Sequence, residues 1–311
     1  MTETMHGYAT DPSAPTGVAL KELPVPQPGP HDVLVDVAAF GVNRGELSLI
    51  QQRPDGWTPG QDLAGTVAVP SADGTGPPAG SRVVGIADQG GWSERAVVPS
   101  HRVAVLPDDV SFAEAAALPV AGLTALRTLR TGGPLLGRRV LVTGASGGVG
   151  TFAVQLAVAA GAIVTGQVSG PSRAGVVTAL GAAEVITEIG PDAGPFDLVV
   201  EAVGGQVLTA AVRRLGVGGT ATAFGFASGE RSDLAFFDFA TGAPNAKLQG
   251  FFIYRTGEET FGEDLALLAG MVADGPLDPQ IGIPQPWSQL PEALAAFRDR
   301  KITGKLVLVR D

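Results

Sequence analysis

Cysteine is missing altogether from the 311-residue chain. Its absence excludes disulfide frameworks, thiolate nucleophiles and every cysteine-ligated zinc or iron–sulfur centre. Histidine is nearly as scarce. His6, His31 and His101 are widely spaced, and none belongs to a His-x3-His or His-Glu-x2-His pattern that would set two ligands on one helical face, so no metal centre is expected. Basic residues are too few to balance the acidic ones: 21 Lys and Arg stand against 31 Asp and Glu, a formal charge of −10. Such a charge repels phosphate backbones and argues against nucleic acid or an anionic membrane as a partner. No run approaches the ~18 apolar residues of a membrane span. Residues 1–12 lack the basic start and apolar stretch of a signal peptide. The expectation is a soluble cytoplasmic protein.

What is present is apolar and loop-rich. The chain is 45% hydrophobic and 17% charged, with 44 Gly and 24 Pro, too apolar for intrinsic disorder. Its length is about twice that of a common domain, which suggests two. Residues 32–40 (D-V-L-V-D-V-A-A-F) alternate partly, and 63–69, 82–87 and 93–98 are short β-prone runs separated by Gly and Pro. The first third reads as an irregular antiparallel β domain. Near Ser111 the pattern changes: S-F-A-E has the capping-box form and precedes a helix-prone run. From Arg139 onward, near-continuous apolar strands alternate with helical stretches, which predicts an α/β fold with a doubly wound parallel sheet. The run L-Q-G-F-F-I-Y (248–254) reads as one of those strands. The tail carries helices near 259–273 and 290–300 and a closing strand at 305–309.

The sheet's first strand ends in G-A-S-G-G-V-G (144–150) and runs directly into a helix. Residues 145–150 fit G-x-G-x-x-G with Ala145 in the first slot, the place of the tight turn. Gly147 would admit a pyrophosphate, Gly150 would let helix and strand pack closely, and Ser146, Gly148 and Val149 would offer backbone at the helix start. The alternative is that these small residues serve only a tight strand-to-helix turn. About 20 residues on, where an NAD-specific fold places Asp or Glu, the chain reads Q-V-S-G-P-S-R (167–173), and no acidic residue occurs from 115 to 183. A 2′-phosphate would meet no repulsion there. Ser169, Ser172 and Arg173 would cradle it, favouring NADPH, unless Arg173 is only a solvated first-turn residue.

The chain resembles the zinc-independent, quinone oxidoreductase-like branch of the medium-chain dehydrogenase/reductase superfamily. The resemblance rests on P-G-P-H-D-V-L-V-D-V-A-A-F-G-V-N (28–43), P-G-Q-D-L-A-G-T-V (59–67), G-S-R-V-V-G-I (80–86), L-P-V-A-G-L-T-A-L (118–126), the glycine loop and T-G-K-L-V-L (303–308). It implies a GroES-like catalytic domain (1–118 and 256–311), a Rossmann NADPH-binding domain (119–255) and a cofactor cleft where they meet. Zinc-dependent relatives carry Cys and His-Glu where this chain has Asn43 and Gln61-Asp62, so the resemblance implies no metal. Asn43 then matches a residue on the nicotinamide ribose bordering the substrate, unless it simply caps a helix with its side-chain oxygen. Thr124 matches a residue flanking the nicotinamide, or is a satisfied helix hydroxyl. Gly225, in A-F-G-F-A-S-G, and Phe251, in G-F-F-I-Y, match segments holding the carboxamide.

No general acid is singled out. Tyr254 either donates to the developing oxyanion or packs at the end of its strand. Arg44 could bind an anionic acceptor, and Glu46 departs from the Asp more frequent in relatives. Without a Lewis acid, an acceptor that spreads the incoming charge over a conjugated system is favoured over a simple ketone. The expected activity is hydride transfer from NADPH to a quinone or α,β-unsaturated carbonyl. The alternatives are a biosynthetic tailoring reductase acting on an enone or ketone, and a protein that binds the cofactor without redox chemistry as a structural or sensing component. The resemblance implies a homodimer through the edge of the nucleotide sheet, with F-F-I-Y either the apolar edge or a strand inside the sheet.

Overall fold

The computed structural model describes residues 3–311, excepting the side chains of residues 241 and 242. Two units divide the chain: 1–123 with 257–275 and 279–311, and 124–256 with 276–278. In the first unit the elements are β1 (Thr4–Thr10), β2 (Val18–Pro24), β3 (Asp32–Val42), α1 (Arg44–Gln52), β4 (Asp62–Val69), β5 (Arg82–Ile86), β6 (Arg95–Pro99), β7 (Val103–Val105) and α2 (Phe112–Ala116). Helix α3 (Pro119–Arg130) carries the chain from one unit into the other.

The second unit contains β8 (Arg139–Val142), α4 (Gly148–Ala159), β9 (Ile163–Gln167), α5 (Ala174–Ala179), β10 (Glu184–Ile186), β11 (Phe196–Glu201), α6 (Gly205–Val212), β12 (Leu215–Ala223) and β13 (Lys247–Gly250). The chain then returns through α7 (Phe261–Ala273), β14 (Gln285–Pro286), α8 (Leu290–Arg298) and β15 (Leu306–Val309).

The first unit is built on β14-β15-β3-β4-β5-β7, with β6 also pairing to β3 and the β1–β2 hairpin forming a sheet of its own. All these pairings are antiparallel except β14 with β15. Long β3 holds β15, β4 and β6 because its side chains are buried nearly throughout. Phe40 stands at the centre of this core, 5.8 Å between ring centroids from Trp92 and 5.5 Å from Trp287. The capping box expected at Ser111 is formed: Glu114 accepts from the Ser111 N–H at 2.8 Å and Ser111 Oγ accepts from the Glu114 N–H at 3.2 Å.

The second unit carries a parallel sheet in the order β10-β9-β8-β11-β12-β13. Strands β8, β9 and β11 are buried almost end to end, as strands covered on both faces must be. Strand order reverses at β8, which lies between β9 and β11, so the loop after β8 occupies the switch point where such sheets receive ligands.

The run F-F-I-Y is not a strand: the edge strand β13 stops at Gly250, and residues 253–255 form a single 3₁₀ turn with Ile253 buried and Phe252 exposed. The strand itself, K-L-Q-G, is exposed throughout. It is held by backbone pairing to β12 and carries no apolar face for a sequence pattern to reveal.

Candidate functional site

The glycine loop differs from the sequence expectation in one detail. Gly144, with φ of +57°, makes the turn out of β8, whereas Ala145 is fully buried and donates its N–H to the Gln167 carbonyl at 2.9 Å. Only glycine enters that left-handed conformation at low cost. Gly150 has the role expected of it. A Cβ there would lie 2.3 Å from the Gly144 carbonyl oxygen, so loop and helix can pack this closely only without a side chain.

Gly147 caps α4, accepting from the Thr151 N–H at 2.9 Å, and is exposed; Ser146, Gly148 and Val149 are partly exposed. First-turn N–H groups have no intrahelical acceptor and carry the positive end of the helix dipole. The loop thus presents accessible backbone donors at the switch point, and a pyrophosphate fits it.

The end of β9 is tied to the same loop. Gln167 Oε1 accepts from the Gly144 N–H at 3.2 Å, while its Nε2 donates to the Val168 and Thr187 carbonyls. Beyond this anchor Ser169 and Ser172 are exposed, and Arg173 is half-buried at the end of a 3₁₀ turn with no ion pair among the described residues. Among the described residues no acidic side chain is hydrogen-bonded into this segment.

Gly225 and Phe251 line one cavity of about 540 Å³ within the second unit, with Phe226, Phe252, Arg255 and Thr256 on its walls. Adjacent strands β12 and β13 deliver the two segments side by side, and the Phe251 N–H donates to the Ala223 carbonyl at 2.8 Å. Thr256 is held in turn by Arg127, whose guanidinium donates to its carbonyl and its hydroxyl. Thr124 is buried in α3, and its carbonyl accepts from the Thr128 hydroxyl at 2.7 Å. Tyr254 lies in the 3₁₀ turn, not at a strand end. Its ring packs on Phe252 with centroids 5.5 Å apart, its hydroxyl oxygen is buried, and it does not line the cavity.

The first unit brings together Asn43, Glu46, Gln61, Asp62 and a residue the sequence reading did not single out, Lys305. The Lys305 ammonium, its side chain 3% exposed, donates to Asn43 Oδ1 at 2.7 Å and to Asp62 Oδ2 at 3.1 Å. Asn43 Nδ2 donates to the same Asp62 oxygen at 2.8 Å, and Asp62 Oδ1 accepts from the Val120 N–H at 2.8 Å. Asn43 stands at the N-cap of α1, yet its side-chain hydrogen bonds go to Lys305 and Asp62. Capping falls to Glu46, whose Oε2 accepts from the Asn43 N–H at 2.8 Å and whose Oε1 accepts from the Gln61 N–H at 3.0 Å.

Glu46 is fully buried. Burial first, and then the neighbouring Asp62 charge, push its carboxyl up to about 8, against the pull of Lys305 and the two backbone donors. Arg44 lies outside the cluster, its guanidinium 5.1 Å from the centre of the Phe297 ring. The only signal in the sequence for Lys305 is a single charge opening the apolar strand L-V-L-V. Its partners lie more than 240 positions away.

Known proteins agree with this architecture. Residues 29–108 match the family model of the alcohol dehydrogenase GroES-like domain, and residues 148–270 match that of zinc-binding dehydrogenases. The human quinone oxidoreductase is 29% identical over 306 residues, spanning 93% of this chain and 92% of that protein. A trans-enoyl reductase of Aspergillus terreus is 36% identical over 205 residues, 57% of this chain and 66% of that one. A mycobacterial protein whose structure is complexed with NADPH superposes with a TM-score of 0.85 at 27% identity, covering 98% of this chain and 99% of that one. The chain therefore belongs to the medium-chain dehydrogenase/reductase superfamily, in its quinone oxidoreductase-like branch of pyridine-nucleotide-binding oxidoreductases.

Proposed function

We propose that this protein is an NADPH-dependent reductase of quinones or α,β-unsaturated carbonyls that works without a catalytic metal. The observation carrying the proposal is the Asn43–Asp62–Lys305 cluster. Both oxygens of Asp62 and the amide oxygen of Asn43 already accept from N–H or ammonium donors, and the buried cation among them is Lys305. A zinc ion prefers thiolate, imidazole or free carboxylate ligands. An amide and a lysine-paired carboxylate beside an ammonium do not suit it. Among the described residues no group of three or more His, Asp or Glu offers a metal another place.

Lacking a Lewis acid, the site favours acceptors in which added electron density is delocalised over an enolate or hydroquinone system, for which a few hydrogen-bond donors suffice. The names of the quinone oxidoreductase and trans-enoyl reductase relatives support this substrate class.

When bound, the reduced nicotinamide supplies a hydride. The chain's own residues bind and orient. Ser146, Gly147, Gly148 and Val149 would hold the pyrophosphate with the start of α4. Ser169, Ser172 and Arg173 would hold a 2′-phosphate; the choice of NADPH as cofactor is supported by the NADPH-bound structural relative. Gly225 and Phe251 would hold the carboxamide in their cavity. Thr124 would flank the ring, and Asn43 would contact the ribose and border the acceptor. Tyr254 receives no proton-donating role here because its hydroxyl is buried. The exposed edge of β13 offers unpaired backbone through which a second copy would extend the sheet.

The test follows NADPH absorbance with purified protein and a panel of quinones, linear enones and simple ketones, with and without a chelator. Turnover of quinones or enones unaffected by chelation is expected. Turnover confined to ketones, or abolished by chelation, overturns the proposal.

A further inference from the structure

The Asn43 carboxamide lies between a group that can only donate and one that can only accept. An ammonium has no lone pair, and an ionised carboxylate has no proton. Flipping the amide by 180° would set its NH2 against Lys305 and its oxygen against Asp62, so one orientation alone satisfies both neighbours. In that orientation Nδ2 uses one proton on Asp62 and keeps a second that no described residue accepts, and Asn43 is itself partly exposed. Its oxygen receives a full positive charge at 2.7 Å inside a buried cluster. A donor bound to an amide's oxygen draws density from its nitrogen and strengthens the remaining N–H as a donor, and more so where water does not screen the charge.

We propose that Lys305 is a positioning residue that acts through Asn43, locking the orientation of its carboxamide and polarising its free N–H as the donor facing the ligand oxygen. The proposal rests on the functional reading above, in which Asn43 borders nicotinamide ribose and acceptor. It assigns the buried ammonium an indirect electrophilic role: its charge reaches the reacting region through one amide, with no proton transferred.

The test is a double-mutant cycle on Asn43→Ala and Lys305→Met, scored by kcat/KM for a quinone and by melting temperature. A side-chain amide NMR spectrum of the cofactor-free protein is recorded in parallel. Each single change is expected to lower kcat/KM by about tenfold or more, since an aligned donor is lost or weakened. The double variant should lose no more than the worse single within about threefold, because both act through one group. Lys305→Arg, which keeps charge and reach, should restore most of the activity that Lys305→Met loses. The Asn43 amide signals should shift in Lys305→Met.

Losses that multiply, Lys305→Met with wild-type activity, or amide signals left in place overturn the proposal. Should Lys305→Met not fold because Asp62 is stranded as a lone buried charge, D62N/K305M removes both charges and replaces it in the cycle. A wild-type protein that turns over no acceptor refutes the functional reading alone, since the amide spectrum still decides whether Lys305 fixes Asn43.

Discussion

Glu46 makes folding stability fall with rising pH, in a way one substitution should abolish. Its carboxyl is pushed from an ordinary value near 4.5 up to about 8 by burial and by Asp62. Between those two values the folded state binds a proton that the unfolded state releases. The contribution of Glu46 is therefore fully present below pH 4.5 and is lost as pH rises through about 8. The slope is at most about 1.4 kcal/mol per pH unit, which gives a ceiling of about 5 kcal/mol across the window.

Glu46→Gln cannot titrate. It also turns an NH2 toward the Asn43 or Gln61 N–H that a carboxyl oxygen accepts, at a pH-independent cost of about 1–3 kcal/mol. The variant should be less stable than the wild type at pH 5, and the two should converge or cross by pH 8.5. Urea denaturation followed by tryptophan fluorescence reads this directly, because Trp57, Trp92 and Trp287 all lie in the first unit with Glu46. Parallel stability curves for the two proteins over that range would refute the assignment.

Arg173→Ala should weaken NADPH binding by about 10- to 100-fold, the worth of one charge-assisted contact of about 1.5–3 kcal/mol, and leave NADH binding within twofold; equal losses in fluorescence titrations with the two nucleotides would remove its role. Gly150→Ala forces a methyl group to 2.3 Å from the Gly144 carbonyl oxygen and 2.7 Å from Ala145 Cα, backbone atoms that cannot step aside alone. The loop must move, at about 1–3 kcal/mol. Calorimetric titration should show NADPH affinity falling by about tenfold or more with the fold intact, and unchanged affinity would mean that the loop does not carry the phosphates.

The parallel sheet is legible in the sequence because its central strands are buried on both faces, so V-L-V in β8 and D-L-V-V in β11 appear as unbroken apolar runs. The start of α2 is legible because a capping box is local chemistry over four residues. Failures come where the deciding contact is not local. Two small neighbours, Gly144 and Ala145, look interchangeable until the backbone shows which one takes positive φ. F-F-I-Y imitates a strand by hydrophobicity alone, whereas β13 is a strand by backbone pairing alone. Asn43 reads as a ribose contact or a helix cap, and not as the partner of Asp62 and Lys305, because those residues lie 19 and 262 positions away.

The charges buried around Asn43 bear on why they are there. With Glu46 raised to about 8 its carboxyl is mostly protonated at neutral pH, so the buried formal charges in the cluster reduce to Asp62 and Lys305, which cancel. A buried pair of this kind contributes little net stability, because desolvating two ions offsets most of their attraction. An apolar pair of equal volume often serves the fold as well or better. What an apolar pair cannot do is tell the two ends of a carboxamide apart. Asn43 sits on both members of the pair and leaves one N–H unused by its neighbours. The pair thus matters more for the direction of a single donor than for the stability of the sheet, and its removal should be felt in turnover more than in the urea midpoint.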